Sequence, residues 1–355
     1  MTATVEATPM LAFEVEVAGI AELSPSFRRI TFTGEGLAQF SRGPVDDRGQ
    51  RSTLDLRIKL MVPSMGHALP GFGTLAQGWY QQWLAMDPET RGHMRTYTVR
   101  NARLDGPEAE AYGPQIDVDF VIHLDADGNG GPASNWAANA KVGDRLTIIG
   151  PNELNGSCPG IEWKPPAMAR GEATSYVDEL HPHTRRVLLA GDETALPAIS
   201  CILESLPADF TGNAYVEVPD AEDFVDIDTA SSVEITWLAR NGRPHGEALD
   251  AAVRGGRGLL SAAGMNYRGE EPEDVDIDKV ILWDTPTTAE QAADAAPAAH
   301  SGPNEHAEST NFYAWIAGEA GTVKELRRYL VRDLGVDRKR VAFMGYWRRG
   351  KSEGV

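Results

Sequence analysis

In the first half of the chain, apolar side chains recur at every second position. Phe13, Val15 and Val17 alternate with Glu14 and Glu16, and Ile30 and Phe32 alternate with Arg29, Thr31 and Thr33 before Gly34 and Gly36. Leu54, Leu56, Ile58 and Leu60 alternate with Asp55, Arg57 and Lys59 until Pro63. Ile116, Val118, Phe120 and Ile122 alternate with Asp117, Asp119, Val121 and His123, and Leu146, Ile148 and Ile149 close the series before Gly150 and Pro151. A period of two marks strands with one buried face. Several such strands between turn residues, with no clear helical period before Pro132, predict an antiparallel β-barrel or sandwich. Residues 63–93 interrupt the series, with Trp79, Tyr80 and Trp83 among glycines. They read as a long loop, of the kind that is more often functional or mobile than core.

The pattern changes in the second half. Residues 187–190 (VLLA) are continuously apolar, as a strand buried on both faces is. They lead through residues 191–197 (GDETALP) into a helical stripe of Ile199, Ile202, Leu203 and Leu206. Further strands are predicted at 214–218, 233–238, 280–283 and 312–316, and a helix at 321–334 carries Val323, Leu326, Leu330 and Leu334 on one face. Strands alternating with helices predict a parallel α/β domain. The expected organisation is a β-domain at 10–154, a linker at 155–184, and an α/β domain at 185–355. An insertion around 254–310 carries the acidic cluster from Glu270 to Asp278 and an Ala/Asp/His-rich stretch, and reads as partly disordered.

Composition narrows the functional classes. The 355 residues are 42% hydrophobic and 24% charged, with a net charge of -19, which argues against a nucleic-acid or anionic-membrane footprint. Two cysteines, Cys158 and Cys201, support neither a disulfide framework nor a zinc site. The N-terminus lacks a basic segment followed by an apolar core, and no apolar run reaches transmembrane length. The expectation is a soluble cytoplasmic protein with no stable membrane association.

Candidate chemistry begins at residues 95–100 (RTYTVR). Arg95 can grip a phosphate, Tyr97 can cover a planar ring, and Thr98 can bond a ring heteroatom, although a polar edge strand reads the same way. After the Asp125–Gly131 turn, Pro132, Ala133 and Ser134 open a helix whose first amides suit a pyrophosphate; a capped helix with nothing bound is the alternative. Calcium is excluded there, because the twelfth loop position, where an EF-hand needs glutamate, is Trp136. Asp274, Asp276 and Asp278 likewise lack the partners of a metal site. Gly191, between strand and helix, marks a nucleotide-binding turn, with Asp192 and Glu193 as unusual neighbours for a pyrophosphate. Arg240 and Arg243 follow the third strand, where they can meet a dinucleotide phosphate or face solvent. The C-terminal residues Arg338, Lys339, Arg340, Arg348, Arg349 and Lys351 surround Phe343, Tyr346 and Trp347, a basic and aromatic end that suits an anionic ligand or a solvated tail.

These stretches together resemble the ferredoxin-reductase architecture, and more narrowly the siderophore-interacting proteins, FAD-dependent and NAD(P)H-linked ferric siderophore reductases. The resemblance is carried by residues 54–63 (LDLRIKLMVP), 95–100 (RTYTVR), 117–123 (DVDFVIH) and 131–137 (GPASNWA). It continues through 188–197 (LLAGDETALP), 233–238 (VEITWL), 315–319 (WIAGE) and 345–350 (GYWRRG), in family order across nearly the whole length. It implies that Arg95 meets the FAD phosphates, Tyr97 lies along the flavin and ribityl chain, and Thr98 sits near the redox edge of the ring. His123 contacts the cofactor, and the helix start at Pro132, with the Ala133 and Ser134 amides, holds the pyrophosphate. Gly191, Asp192, Glu193, Thr194, Gly318 and Glu319 frame NADPH or NADH, with Arg240 at its phosphate, and Trp347 lies near the flavin. Lys59, Arg348, Arg349 and Lys351 face the ferric siderophore, an anionic chelate. No residue is expected to act as acid, base or metal ligand, since the flavin carries the electrons. The alternatives are a related flavin reductase acting on an electron-carrier protein or another small acceptor, and a siderophore-binding protein without redox activity.

Overall fold

The computed structural model describes residues 7–45, 49, 51–73, 75, 78–125, 127–165, 185–256, 282–286 and 312–350. The chain divides into two compact units, one running to Ile161 and the other starting at Glu162. The stretch 166–184 of the expected linker lies outside the described residues, as does the predicted insertion apart from 254–256 and 282–286.

The first unit is a seven-stranded antiparallel sheet. Its strands are β1 (Met10–Ser24), β2 (Phe27–Thr33), β3 (Arg57–Val62), β4 (His93–Thr98), β5 (Asn101–Arg103), β6 (Gln115–Val121) and β7 (Arg145–Pro151), in the order β4-β3-β7-β1-β2-β6-β5. The period-two residues deliver the core: Phe13, Val15, Val17, Ile30, Phe32, Ile58, Leu60, Ile116, Val118 and Ile148 are all buried. Two consecutive residues reveal the curl of the sheet. The Val99 N–H donates to the Leu56 carbonyl next to β3, and the Arg100 N–H donates to Asp117 on β6, near the opposite edge. One short step therefore ties both ends of the strand order together, and of the two expected forms the barrel-like one is adopted.

Three expectations for this unit need correction. The strand expected from Leu54 begins at Arg57, because Leu54 turns with a φ of 49°. Helices do occur before Pro132: α1 (Trp79–Leu84) and α2 (Gly106–Tyr112) are too short for a period to register. The stretch 63–93 also contributes core. Trp83 is 2% exposed and packs with Met61, Leu75 and Ile149, and its indole N–H donates to the Arg91 carbonyl.

The second unit is a six-stranded sheet: β8 (Arg185–Gly191), β9 (Phe210–Val218), β10 (Ser232–Ala239), β11 (Trp283–Asp284), β12 (Phe312–Glu319) and β13 (Val341–Trp347). The order is β10-β9-β8-β12-β13-β11, parallel throughout except for β11, which runs antiparallel at one edge. β9 and β10 step outwards from β8 on one side and β13 steps outwards from β12 on the other, so the order reverses between β8 and β12. Residues 187–190 and 312–317 are all buried, as the continuous apolar runs require. Helices α4 (Leu196–Ser205), α5 (Glu247–Gly255) and α6 (Ala320–Arg327) accompany the sheet. Leu249 and Val253 of α5 join Val323 and Leu326 of α6 over Leu188, Ala314 and Ile316. Each leucine, isoleucine or valine fully buried in this way contributes about 1.5–3 kcal/mol.

Here the sequence reading errs at two strands. Of the strand expected at 280–283, residues 280 and 281 lie outside the described residues, and Trp283 belongs to the edge strand β11, which runs antiparallel rather than parallel. The basic C-terminal stretch contains a strand that was not expected: β13 is an interior strand parallel to β12, with Val341 to Met344 at most 1% exposed. Its charges belong to the flanks of this strand. The helix expected at 321–334 is α6 continued by a π-helical turn, Arg328–Asp333, with Val323, Leu326 and Leu330 buried along its stripe.

Candidate functional sites

In the β-unit, β4 is an edge strand paired only with β3 in the sheet order, in a register that sets Tyr97 against Ile58 and Thr96 against Lys59. The Lys59 ammonium donates to the Thr96 hydroxyl at 2.5 Å, so the structure brings Lys59 onto the same ribbon as Arg95. Arg95 is half-buried and its Nη1 donates to the Met94 carbonyl, while Thr98 is buried. The Tyr97 ring lies 4.5 Å from Phe120, which lies 5.8 Å from Trp136 of α3 (Pro132–Asn139). Phe32 stacks on Trp136 with an interplanar angle of 17°. This chain of rings packs α3 against β2, β4 and β6, bringing together a strand and a helix start that are well separated in the sequence.

The helix start itself is fixed by polar contacts. The Ser134 hydroxyl accepts from the His123 N–H at 2.8 Å and donates to the His123 carbonyl at 3.2 Å. Asn135 bonds both backbone groups of Gly130, at 2.7 and 2.8 Å. Asp125 accepts the N–H groups of Asp127 and Asn129, which makes it a turn-former. The Ser134 hydroxyl is thus structural, whereas its N–H and that of Ala133 lie in the first helical turn, where an α-helix offers no acceptor. Gly131 supplies no side-chain cap, and a Cβ there would meet nothing within 4 Å. Open space, two helix-start amides and an exposed His123 fit a pyrophosphate, and Arg95 and Tyr97 fit the phosphate and the ring system of a flavin dinucleotide. Asn135 was not identified from the sequence; an asparagine following a Gly-Gly-Pro helix start was its only signal.

In the α/β unit, Gly191 and Gly318 end adjacent strands at the point where strand order reverses, the usual ligand position of an open parallel sheet. Asp192 knits this point together. Its Oδ1 accepts from the Thr194 N–H and hydroxyl, and its Oδ2 accepts from the Glu319 N–H at 2.7 Å and the Trp347 indole N–H at 2.8 Å. The residues expected at 191–194, 318–319 and 347 therefore form one cluster. Gly318 has a φ of 142°, and a Cβ there would stand 2.6 Å from Asp192 Oδ2, so only glycine fits. Asp192 is 4% exposed, and burial followed by repulsion from Glu193 raises its pKa to about 6, against the opposing donors. Trp347 is half-buried, and His245 packs edge-on against it at 5.1 Å. Burial pushes the His245 pKa down, with Glu193 opposing and Arg240 and Arg349 adding to the effect.

Glu193 and Arg240 face neither solvent nor the outer crevice. Glu193 is 0% exposed and Arg240 is 5% exposed; the guanidinium clamps Glu193 through both nitrogens, one bond at 2.7 Å, with Glu217 at 3.5 Å. Glu217, also 0% exposed, accepts the Gly246 and Leu249 N–H groups at the start of α5. A charge inside the apolar strand of residues 214–218 was the signal for Glu217, and the sequence reading passed over it. The Arg349 N–H donates to Glu319 at 3.3 Å, Arg348 is half-buried, and Lys351 lies outside the described residues.

A barrel-like β-domain followed by a parallel α/β domain with a glycine-lined switch point defines the class of two-domain flavin and nicotinamide oxidoreductases. Residues 16–155 match the siderophore-interacting FAD-binding domain, and residues 184–350 match the siderophore-interacting protein model. The chain belongs to the siderophore-interacting protein family. It is 28% identical over 331 residues to the ferric vibriobactin reductase ViuB of Vibrio cholerae, spanning 93% of this chain and 87% of that protein. The siderophore-interacting protein SipS from Aeromonas hydrophila superposes with a TM-score of 0.56 at 28% identity, covering 96% of this chain and 93% of SipS. A siderophore utilization protein from T. fusca gives 0.58 at 26%, covering 98% and 97%.

Proposed function

We propose that this protein is a flavin-dependent ferric siderophore reductase, taking electrons from NAD(P)H through FAD to chelated iron. The observation that carries the reading is the ring chain Tyr97–Phe120–Trp136, which holds a strand bearing Arg95 beside an uncapped helix start within a family FAD-binding domain. Similarity to a ferric vibriobactin reductase over nearly the full length supports the same reaction type.

FAD, when bound, accepts a hydride and releases its two electrons singly. The chain's part is positional. Arg95 and the Ala133 and Ser134 amides would hold the phosphates, Tyr97 the ring system, and Thr98 a ring heteroatom. His123 would stand beside the cofactor. Gly191, Thr194, Gly318 and Glu319 would frame the nicotinamide dinucleotide, with Asp192 setting their spacing and the Trp347 ring. Lys59, Arg348, Arg349 and Lys351 would attract an anionic ferric siderophore, and iron reduced within the chelate is held less tightly by hard oxygen donors. Cys158 and Cys201 form no disulfide, and among the described residues no helix is long and apolar enough to cross a membrane; the proposed setting is the reducing cytoplasm.

The test is ferric-chelate-dependent oxidation of NADH or NADPH, with ferrous iron trapped by a chromogenic ligand. Rapid reduction of an electron-carrier protein without ferric-chelate activity would replace this reading with that of a carrier reductase. Purified protein that holds no flavin would favour a binding protein.

A further inference from the structure

Two features of the α/β unit suit a 2′-phosphate, an arginine after the third strand and a helix N-terminus beside it, and both are occupied by the protein's own carboxylates. Arg240 is buried in its clamp on Glu193, and the first N–H groups of α5 are taken by Glu217. Arg243 folds back, its Nε on the Arg240 carbonyl at 3.0 Å and its Nη2 on the Ala239 carbonyl at 2.7 Å.

The surface left around these groups is acidic. A dinucleotide seated at the switch point of a doubly wound sheet extends its adenosine ribose past the carboxyl end of the second strand, where a carboxylate selects the free 2′-hydroxyl. Here β9 is followed by Asp220 and Glu222, both exposed, and by buried Asp223. Between the starts of α5 and α6 lies a cavity of about 450 Å³ whose walls carry Glu247, Asp250, Glu319 and Glu325 against Arg254 and Arg349. Arg254 is already paired with Asp250 at 2.7 Å.

We propose that the α/β domain selects the unphosphorylated dinucleotide, NADH, over NADPH, through the carboxylates after β9 and the internal neutralisation of Arg240. The inference rests on the nicotinamide site of the preceding section. A 2′-phosphate adds about 1.5–2 negative charges to a surface where Asp220 and Glu222 stand exposed and Arg240 is held by Glu193. Discrimination of about tenfold or more is expected from such like-charge placement.

Calorimetric titration of the FAD-loaded full chain with ADP-ribose and with 2′-phospho-ADP-ribose tests it without turnover. Tenfold or tighter binding of ADP-ribose is the expected result; equal binding, tighter binding of the phosphorylated form, or no binding of either overturns the proposal. Anaerobic bleaching of the flavin by NADH and NADPH, followed in parallel, separates the two readings. Bleaching by either donor sustains the reductase whatever the preference, and ADP-ribose binding without bleaching by either sinks the reductase alone. The exposed pair Asp220→Asn with Glu222→Gln, which keeps a capping side chain at position 220, should narrow the ratio several-fold. An unchanged ratio in the folded variant would remove these carboxylates from the explanation.

Discussion

Asp192→Asn tests the electrostatics of the switch point. Both carboxylate oxygens accept two donors each, and the group is 4% exposed with a pKa raised from 3.8 to about 6. A folded-state value above the unfolded one means that the folded protein holds a proton the unfolded chain has released. Stability from this group is therefore complete below pH about 4 and is lost as the pH rises through about 6. A shift from 3.8 to about 6 corresponds to roughly 3 kcal/mol. Asparagine cannot titrate, and its amide would face two of the donors, so the variant starts less stable and lacks this slope. Urea unfolding of both proteins at several pH values between 4 and 7, followed by tryptophan fluorescence, gives the difference between them, in which other titrating groups cancel. The wild type should lose roughly 3 kcal/mol relative to Asp192→Asn across that window. Parallel profiles, or a wild type that gains with rising pH, would refute the reasoning.

Three further outcomes follow from buried partners. Arg240→Ala leaves Glu193 uncompensated in the interior and should cost about 3–5 kcal/mol, read from thermal or urea unfolding. Ser134→Ala removes both bonds to the His123 backbone and should cost about 1–3 kcal/mol, with the FAD-binding unit losing cooperativity first. Arg95→Ala should weaken FAD retention on the order of 10–100-fold, since a charge-assisted phosphate bond contributes about 1.5–3 kcal/mol. Stoichiometric FAD on that variant after extensive dialysis would contradict Arg95's role.

What the sequence revealed depended on range. Alternation placed β1, β2, β6 and β7, and the apolar run at 187–190 placed the central strand, because each signal is local and periodic. β13 was hidden because its core residues 341–344 lie between Arg338, Lys339 and Arg340 on one side and Arg348 and Arg349 on the other. The flanking charge kept the apolar run from standing out as a strand. β11 was expected from the apolar residues at 280–283, but its antiparallel pairing with β13 was not legible locally. At the sites, the glycine turns were visible, but the partners of Asp192 were not. Its contacts with Glu319 and Trp347 span 127 and 155 positions. The fate of Arg240 was equally remote from local pattern: an arginine after a strand suggests a phosphate ligand until Glu193, 47 positions away, is found against it.

The central claim is tested most directly by anaerobic electron counting. FAD-loaded protein is bleached with one equivalent of NADH and then mixed with a ferric siderophore and a ferrous-specific chromophore. A hydride carries two electrons, so the account predicts return of the oxidised flavin spectrum with about two ferrous ions per flavin. A flavin that bleaches with NADH and stays bleached when excess ferric chelate is added, with no ferrous iron formed, would contradict it.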